Sequence, residues 1–96
     1  TTRKVRLRNR EFLFNYLLAH PCVDCGEPDP IVLDFDHKEV NKKFGNVSEM
    51  ATNSSSIDTL EKEIEKCEIR CANCHRRKTA KQFNYYKYNA SNNLSV

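Results

Sequence analysis

The sequence has no tryptophan, no acidic residue among its first ten positions or its last 28, and no apolar run close to the roughly 20 residues of a membrane span. It also lacks an N-terminal apolar stretch of the secretory type followed by a small-residue cleavage site. Together these absences predict a soluble, intracellular, cytoplasmic protein. Hydrophobic residues make up 39% of the 96 positions, and mean hydropathy is -0.75. A chain this short forms one domain with a modest core, so something besides burial must help hold it. Its five cysteines are the candidates. An odd count argues against a fully paired disulfide framework and for a reducing compartment.

The missing acids at the two ends reflect a segregated charge distribution. Residues 1–10 carry five basic groups and residues 69–96 carry six. All 13 acids lie between Glu11 and Glu68 with the remaining five lysines, so the middle carries −8 and the ends together +11. If both ends fold onto one face, they present a phosphate-attracting surface that a net charge of +3 conceals.

Asn9 can cap a helix in which Phe12, Leu13, Tyr16 and Leu17 recur at helical spacing, ending near His20 because Pro21 follows. A turn-rich loop surrounds Cys22 and Cys25, and a strand is expected from Ile31 to Asp36 or His37. Lys42 to Asn46 reads as a loop or a short pairing segment. Ile57, Leu60, Ile64 and Cys67 define a helix over about 56–66, with Ser55 and Asp58 fitting a Ser-x-x-Asp cap. Cys67 to Arg70 reads as a short strand and Cys71 to about Tyr86 as a final helix, on which Phe83, Tyr85, Tyr86 and Tyr88 either pack onto the core or stack on bases. The polar tail from Asn89 to Val96 is expected to fray.

Cys22-x-x-Cys25 and Cys71-x-x-Cys74 each place two thiols on one tight turn, and two such turns supply the four soft ligands of a tetrahedral zinc. The 45 residues between the pairs mean that the ion cross-links distant segments. A structural zinc contributes on the order of 10 to 16 kcal/mol in small zinc peptides, comparable with the whole stability of a domain. Neither pair follows a strand in a βαβ unit, which argues against a thioredoxin-like redox pair. His20 is a poor substitute ligand because four cysteines already fill the tetrahedron, and Cys67 reads as a core residue.

With the thiolates on zinc, Asp36, His37 and His75 have no structural duty. A carboxylate and an imidazole converging from two elements can hold a divalent ion while leaving positions open for water and a phosphate oxygen. A nearby neutral imidazole, with an unperturbed pKa of about 6.5, can then take a proton from the attacking water. Adjacent residues of a regular strand point to opposite faces, so Asp36 and His37 serve one centre only where the strand ends, bends or bulges.

Leu33-Asp34-Phe35-Asp36-His37, followed after a spacer by Cys71-Ala72-Asn73-Cys74-His75-Arg76-Arg77-Lys78-Thr79, resembles the HNH endonuclease family over about residues 20–80. The resemblance implies an α+β fold: a small ββα-metal core with flanking helices, stapled by a structural zinc on four cysteines. One domain would span 1–96, with a basic N-terminal segment and helix over 1–20, the stapled core over 21–80, and a helix end with polar tail over 81–96. It implies a metal-dependent DNA endonuclease, nicking as a monomer or cutting both strands as a homodimer and leaving 5′-phosphate and 3′-hydroxyl ends. His37 would be the general base, and Asp36 and His75 the ligands of a catalytic Mg2+, Mn2+ or Ni2+. Phages and mobile elements are common homes of this family. The family's middle Asn is absent, since Lys66 stands nine residues before His75. Asn73 is the nearest supporting candidate, with Asn41 and Asn46 in the spacer. Arg3, Lys4, Arg6, Arg8 and Arg10, then Arg70, Arg76, Arg77, Lys78 and Lys81, would contact DNA phosphates with little sequence preference. The competing readings are a non-catalytic zinc module that binds nucleic acid through its basic ends, and a zinc-stapled domain that meets an acidic protein partner.

Overall fold

Two five-residue strands pair antiparallel at the centre of the chain. β1 (Leu33–His37) and β2 (Cys67–Cys71) run in register from Leu33 opposite Cys71 to His37 opposite Cys67. Alternation puts Leu33, Phe35 and His37 on one face and Asp34 and Asp36 on the other. The computed structural model describes the backbone of residues 1–94 and side chains through residue 90.

Helix α1 (Thr2–Ala19) precedes the sheet, α2 (Val47–Thr52) and α3 (Ile57–Ile64) fill the connection between the strands, and α4 (Ala72–Gln82) follows β2 directly, ahead of α5 (Tyr86–Leu94). The architecture is therefore small α+β with a two-stranded sheet. No described helix is long and apolar enough to cross a membrane.

Several boundaries differ from those expected. α1 begins at Thr2, where Thr1 Oγ1 accepts from Lys4 N–H, because the basic run is made of good helix formers. Asn9 is consequently an interior residue and not a cap. It is wholly buried, and its Nδ2 donates to Ala51 O at 3.1 Å and Ser55 O at 2.8 Å. Pro30–Val32 form a 3₁₀ turn capped by Asp29, which delays β1 by two residues. α3 is capped by Ser56, whose Oγ accepts from Thr59 N–H, and not by Ser55. α2, a helix of under two turns, was not expected, since so short a segment shows no helical periodicity. The expected final helix breaks at Asn84, which adopts φ +57°, and α5 then takes in much of the tail expected to fray, while residues 95 and 96 lie outside the described residues.

The core has two parts. Leu13, Val47, Met50, Ala51, Leu60, Ile64 and Cys67 pack where α1, α2 and α3 meet the start of β2. Cys22, Leu33, Ile69, Cys71 and Cys74 form a sulfur-rich second part, and Tyr16 and Phe35 pack against both. Cys67 is a core residue as expected, although it opens β2 instead of closing α3, and burial pushes its thiol up to about 11. Phe83, Tyr85 and Tyr86 do not pack onto this core: all three are exposed where the chain turns away at Asn84.

Candidate metal centre and the carboxylate–imidazole clusters beside it

The first cysteine pair sits on a turn closed by Gly26 N–H donating to Cys22 O at 2.9 Å and by Cys22 N–H donating to Glu27 O at 3.0 Å. Gly26 takes φ +79°, a left-handed conformation that glycine adopts without penalty. Val23 N–H donates to Ile69 O at 2.9 Å, which fastens this turn to β2. The second pair straddles the junction where β2 becomes α4. Cys71 closes the strand and caps the helix, its Sγ accepting from Cys74 N–H at 3.4 Å.

These connections bring the four sulfurs of Cys22, Cys25, Cys71 and Cys74 within 4.8 Å of one another, with Cys25 and Cys71 at 3.7 Å. Zinc–sulfur bonds of about 2.3 Å in a tetrahedron place sulfurs about 3.8 Å apart, so the cluster can hold a zinc ion. Protonation points the same way. At Cys22 burial opposes the thiolate, but backbone N–H groups of Cys71, Cys25 and Asp24 outweigh it and bring the pKa to about 6. Cys74 is pushed up to about 12 by the neighbouring Cys71 sulfur and then by burial, a conflict between crowded thiols that a dication removes. His20 takes no part; it stacks on Tyr16 with ring centroids 3.9 Å apart.

On the Asp34–Asp36 face of β1 lies His75, one residue beyond Cys74 on α4. Its Nε2 is 3.4 Å from Asp36 Oδ1 and its Nδ1 is 3.2 Å from Asp34 Oδ2. Asp36 Oδ2 accepts from Arg70 Nη1 and Lys78 Nζ, both at 2.8 Å. Burial works against the ionised form of Asp36, but the hydrogen bonds of Lys78 and Arg70 prevail and lower its pKa. Oδ1 is thereby the oxygen that Asp36 turns to the imidazole. Asp34 was not anticipated, although its place two residues before Asp36 on one strand face is a readable signal.

His37 is elsewhere. β1 continues without a bulge through His37, and Lys38 N–H donates to Lys66 O at 2.9 Å, so strand alternation turns His37 to the face opposite Asp36. There its Nε2 lies 2.7 Å from Glu63 Oε2. Glu63 is 2% exposed and also accepts from Lys66 Nζ at 2.9 Å, Phe44 N–H at 3.0 Å and Gly45 N–H at 3.4 Å. Burial disfavours its charge, but these donors and His37 outweigh it and hold the carboxyl at about 2. Glu63, braced by Lys66, is thus the residue that steadies His37. Asn73, the expected support, is exposed on α4, and among the described residues no hydrogen bond joins it to His37.

Comparison with protein-family models, with curated proteins and with solved structures finds no match.

The basic residues divide by environment. Arg3, Lys4 and Arg10 are exposed on α1, while Arg6 donates to Thr52 O, and Arg8 donates to Asn9 Oδ1 and Ser55 O. Arg76, Arg77 and Lys81 lie towards solvent on α4, and Lys78 is partly buried against Asp36. Arg70 departs from expectation. It is buried and pairs with Asp24, Asp36 and Glu68, so its charge is neutralised inside the protein and not offered to phosphate.

Proposed function

We propose that the chain is a zinc-stapled, metal-dependent DNA endonuclease of HNH type, with β1, β2 and α4 as its ββα-metal core and the four cysteines as the zinc staple. The observation that carries this reading is the approach of Asp36 Oδ1 and His75 Nε2, 3.4 Å apart, from a strand and a helix that the cysteine cluster ties together. These two atoms would hold a divalent cation, Mg2+, Mn2+ or Ni2+. When bound, such an ion stabilises charge on the phosphate and on the departing 3′ oxygen.

The remaining groups have separate tasks. Asp34 receives the Nδ1–H of His75, which leaves the Nε2 lone pair facing Asp36. Arg70 and Lys78 neutralise the second oxygen of Asp36, so the carboxylate stays ionised in a partly dry site. Glu63 receives the Nε2–H of His37, which leaves Nδ1 to take the proton of an attacking water, and the buried carboxylate then stabilises the imidazolium. Because Asp36 and His37 leave opposite faces of β1, this reading requires the scissile linkage to lie across the end of that strand.

The same facts favour a second reading, a non-catalytic zinc module that binds nucleic acid: Asp36 Oδ2 is already saturated by two cations, and His37 is buried against Glu63. Supercoiled plasmid with added magnesium, manganese or nickel separates the two. The nuclease reading expects nicking by the wild type and a loss of at least about two orders of magnitude in His37→Ala and in His75→Ala, with zinc content and folding retained. Equal activity in wild type and variants, or none in the wild type with any of the metals, sinks it and leaves the binding module.

A further inference from the structure

The corner between α4 and α5 forms an open cleft of about 820 Å³, whose lining shares Arg70, Cys74 and Lys78 with the cysteine cluster and the Asp36 hydrogen-bond set while the rest of it lies outside both. Its wall on α4 carries Arg77, Lys78, Ala80 and Lys81, and α5 contributes Lys87 and Tyr88. Among the described residues, Arg77, Lys81 and Lys87 meet no carboxylate. The one acid in the lining, Asp24, is already paired with Arg70 at 2.8 Å. A second, smaller hollow of about 240 Å³ shares Arg77, Ala80 and Lys87 with the first and adds Arg76 and Tyr85. Unneutralised cations therefore line both sides of the corner, each with a tyrosine.

A bare duplex needs only a row of cations that track its backbone phosphates. A concave cleft with an aromatic ring inside and cations along its walls suits something different: a phosphate joined to a flat, unstacked ring. The volume lies within the usual range for small-molecule sites, and Tyr88, half-buried on α5, lines the cleft.

We infer that the α4–α5 cleft seats an unpaired nucleotide of a nucleic-acid strand, with its phosphates on Arg77, Lys81 and Lys87 and its base against Tyr88. The inference rests on the nucleic-acid half of the proposed function and not on cleavage. A substrate with an unpaired or displaced strand is then preferred to plain duplex. Lys78 belongs both to this cleft and to the Asp36 hydrogen-bond set, which sets the bound strand beside Asp36 and His75.

Binding is read by fluorescence anisotropy of a labelled oligothymidine, without added divalent cation, against a duplex of equal length and a polyglutamate peptide. Wild type should bind the single strand more tightly than the duplex, and Tyr88→Ala should weaken it by about tenfold or more. Lys81→Ala and Lys87→Ala should each lower the slope of log affinity on log salt by about 0.7, while Lys62→Ala on α3 changes nothing. Unaltered zinc content and far-UV dichroism show that the variants stay folded. Wild-type affinity in Tyr88→Ala, or polyglutamate binding as tightly as the oligonucleotide, overturns the inference. His75→Ala separates the two proposals: if it binds normally but does not cleave, both stand, and if it also cleaves normally, only the nuclease reading falls.

Discussion

Replacing Glu63 by Gln keeps the shape of the side chain and removes its charge, and the structure sets the size of the effect. The carboxylate is 2% exposed and takes hydrogen bonds from Lys66, His37 and two backbone N–H groups, which hold its pKa at about 2 against an ordinary 4.5. Each pKa unit is worth about 1.4 kcal/mol, so the folded environment favours the ionised form by about 3 kcal/mol. For a small domain this is a large share of the total. The folded pKa lies below the unfolded one, so the contribution is complete above about pH 5 and is lost as the pH falls through 4.5 toward 2. Urea unfolding of zinc-loaded wild type and Glu63→Gln should differ by about 3 kcal/mol at about pH 7, with the gap narrowing below about pH 4.5 and closing only toward about pH 2. Loss of zinc in acid acts on both proteins alike, so the difference between them is the quantity to follow. A gap that stays constant with pH, or no gap near neutrality, refutes the reasoning.

Asn9→Ala removes the amide that donates to the carbonyls of Ala51 and Ser55, and urea melts should show a loss of about 2 kcal/mol with an unchanged m-value. Gly26→Ala adds a methyl that meets nothing within 4 Å, so only the φ of +79° opposes it. Its cost should be about 1 to 2 kcal/mol, read as a weaker hold on zinc in chelator competition. Cys71→Ser takes away one of the four sulfurs, while the serine hydroxyl can still cap α4, so the metal ligand is what is lost. Zinc content should fall from one equivalent per chain to none and the cooperative melt should disappear; a native melt with zinc retained would show that the cluster is no staple.

What was legible in the sequence is what local spacing determines. Two Cys-x-x-Cys turns predict their own geometry, and the four soft ligands that a tetrahedral zinc needs made it readable that they would meet. The separation of Asp36 from His37 follows from strand alternation alone, and the structure applies that rule without a bulge. Partners far apart along the chain were not legible. Glu63 lies 26 residues from His37, and its only trace in the sequence is a carboxylate within the apolar stripe of Leu60, Ile64 and Cys67, where an acid must be buried and paired. Asn9 resembles a cap in sequence because the property that makes asparagine a cap, a short amide that bonds backbone groups, also suits it to bond the loop carbonyls above α1. Arg70 counts as one more cation in a charge tally, and only the structure shows its pairing: the register sets Arg70 opposite Asp34, and its side chain reaches diagonally across the sheet to Asp36. The break at Asn84 was equally hidden, since asparagine tolerates the left-handed region without advertising it.

The proposed function makes Asp36 and His75 the two protein ligands of a divalent cation, set in place by the cysteine staple. Titrating Mn2+ into the zinc-loaded protein and following the free Mn2+ electron paramagnetic resonance signal tests it without any substrate. One Mn2+ site per chain is expected, lost in His75→Ala and in Asp36→Asn while zinc stays bound. Manganese uptake that is the same in wild type and in both variants would contradict it.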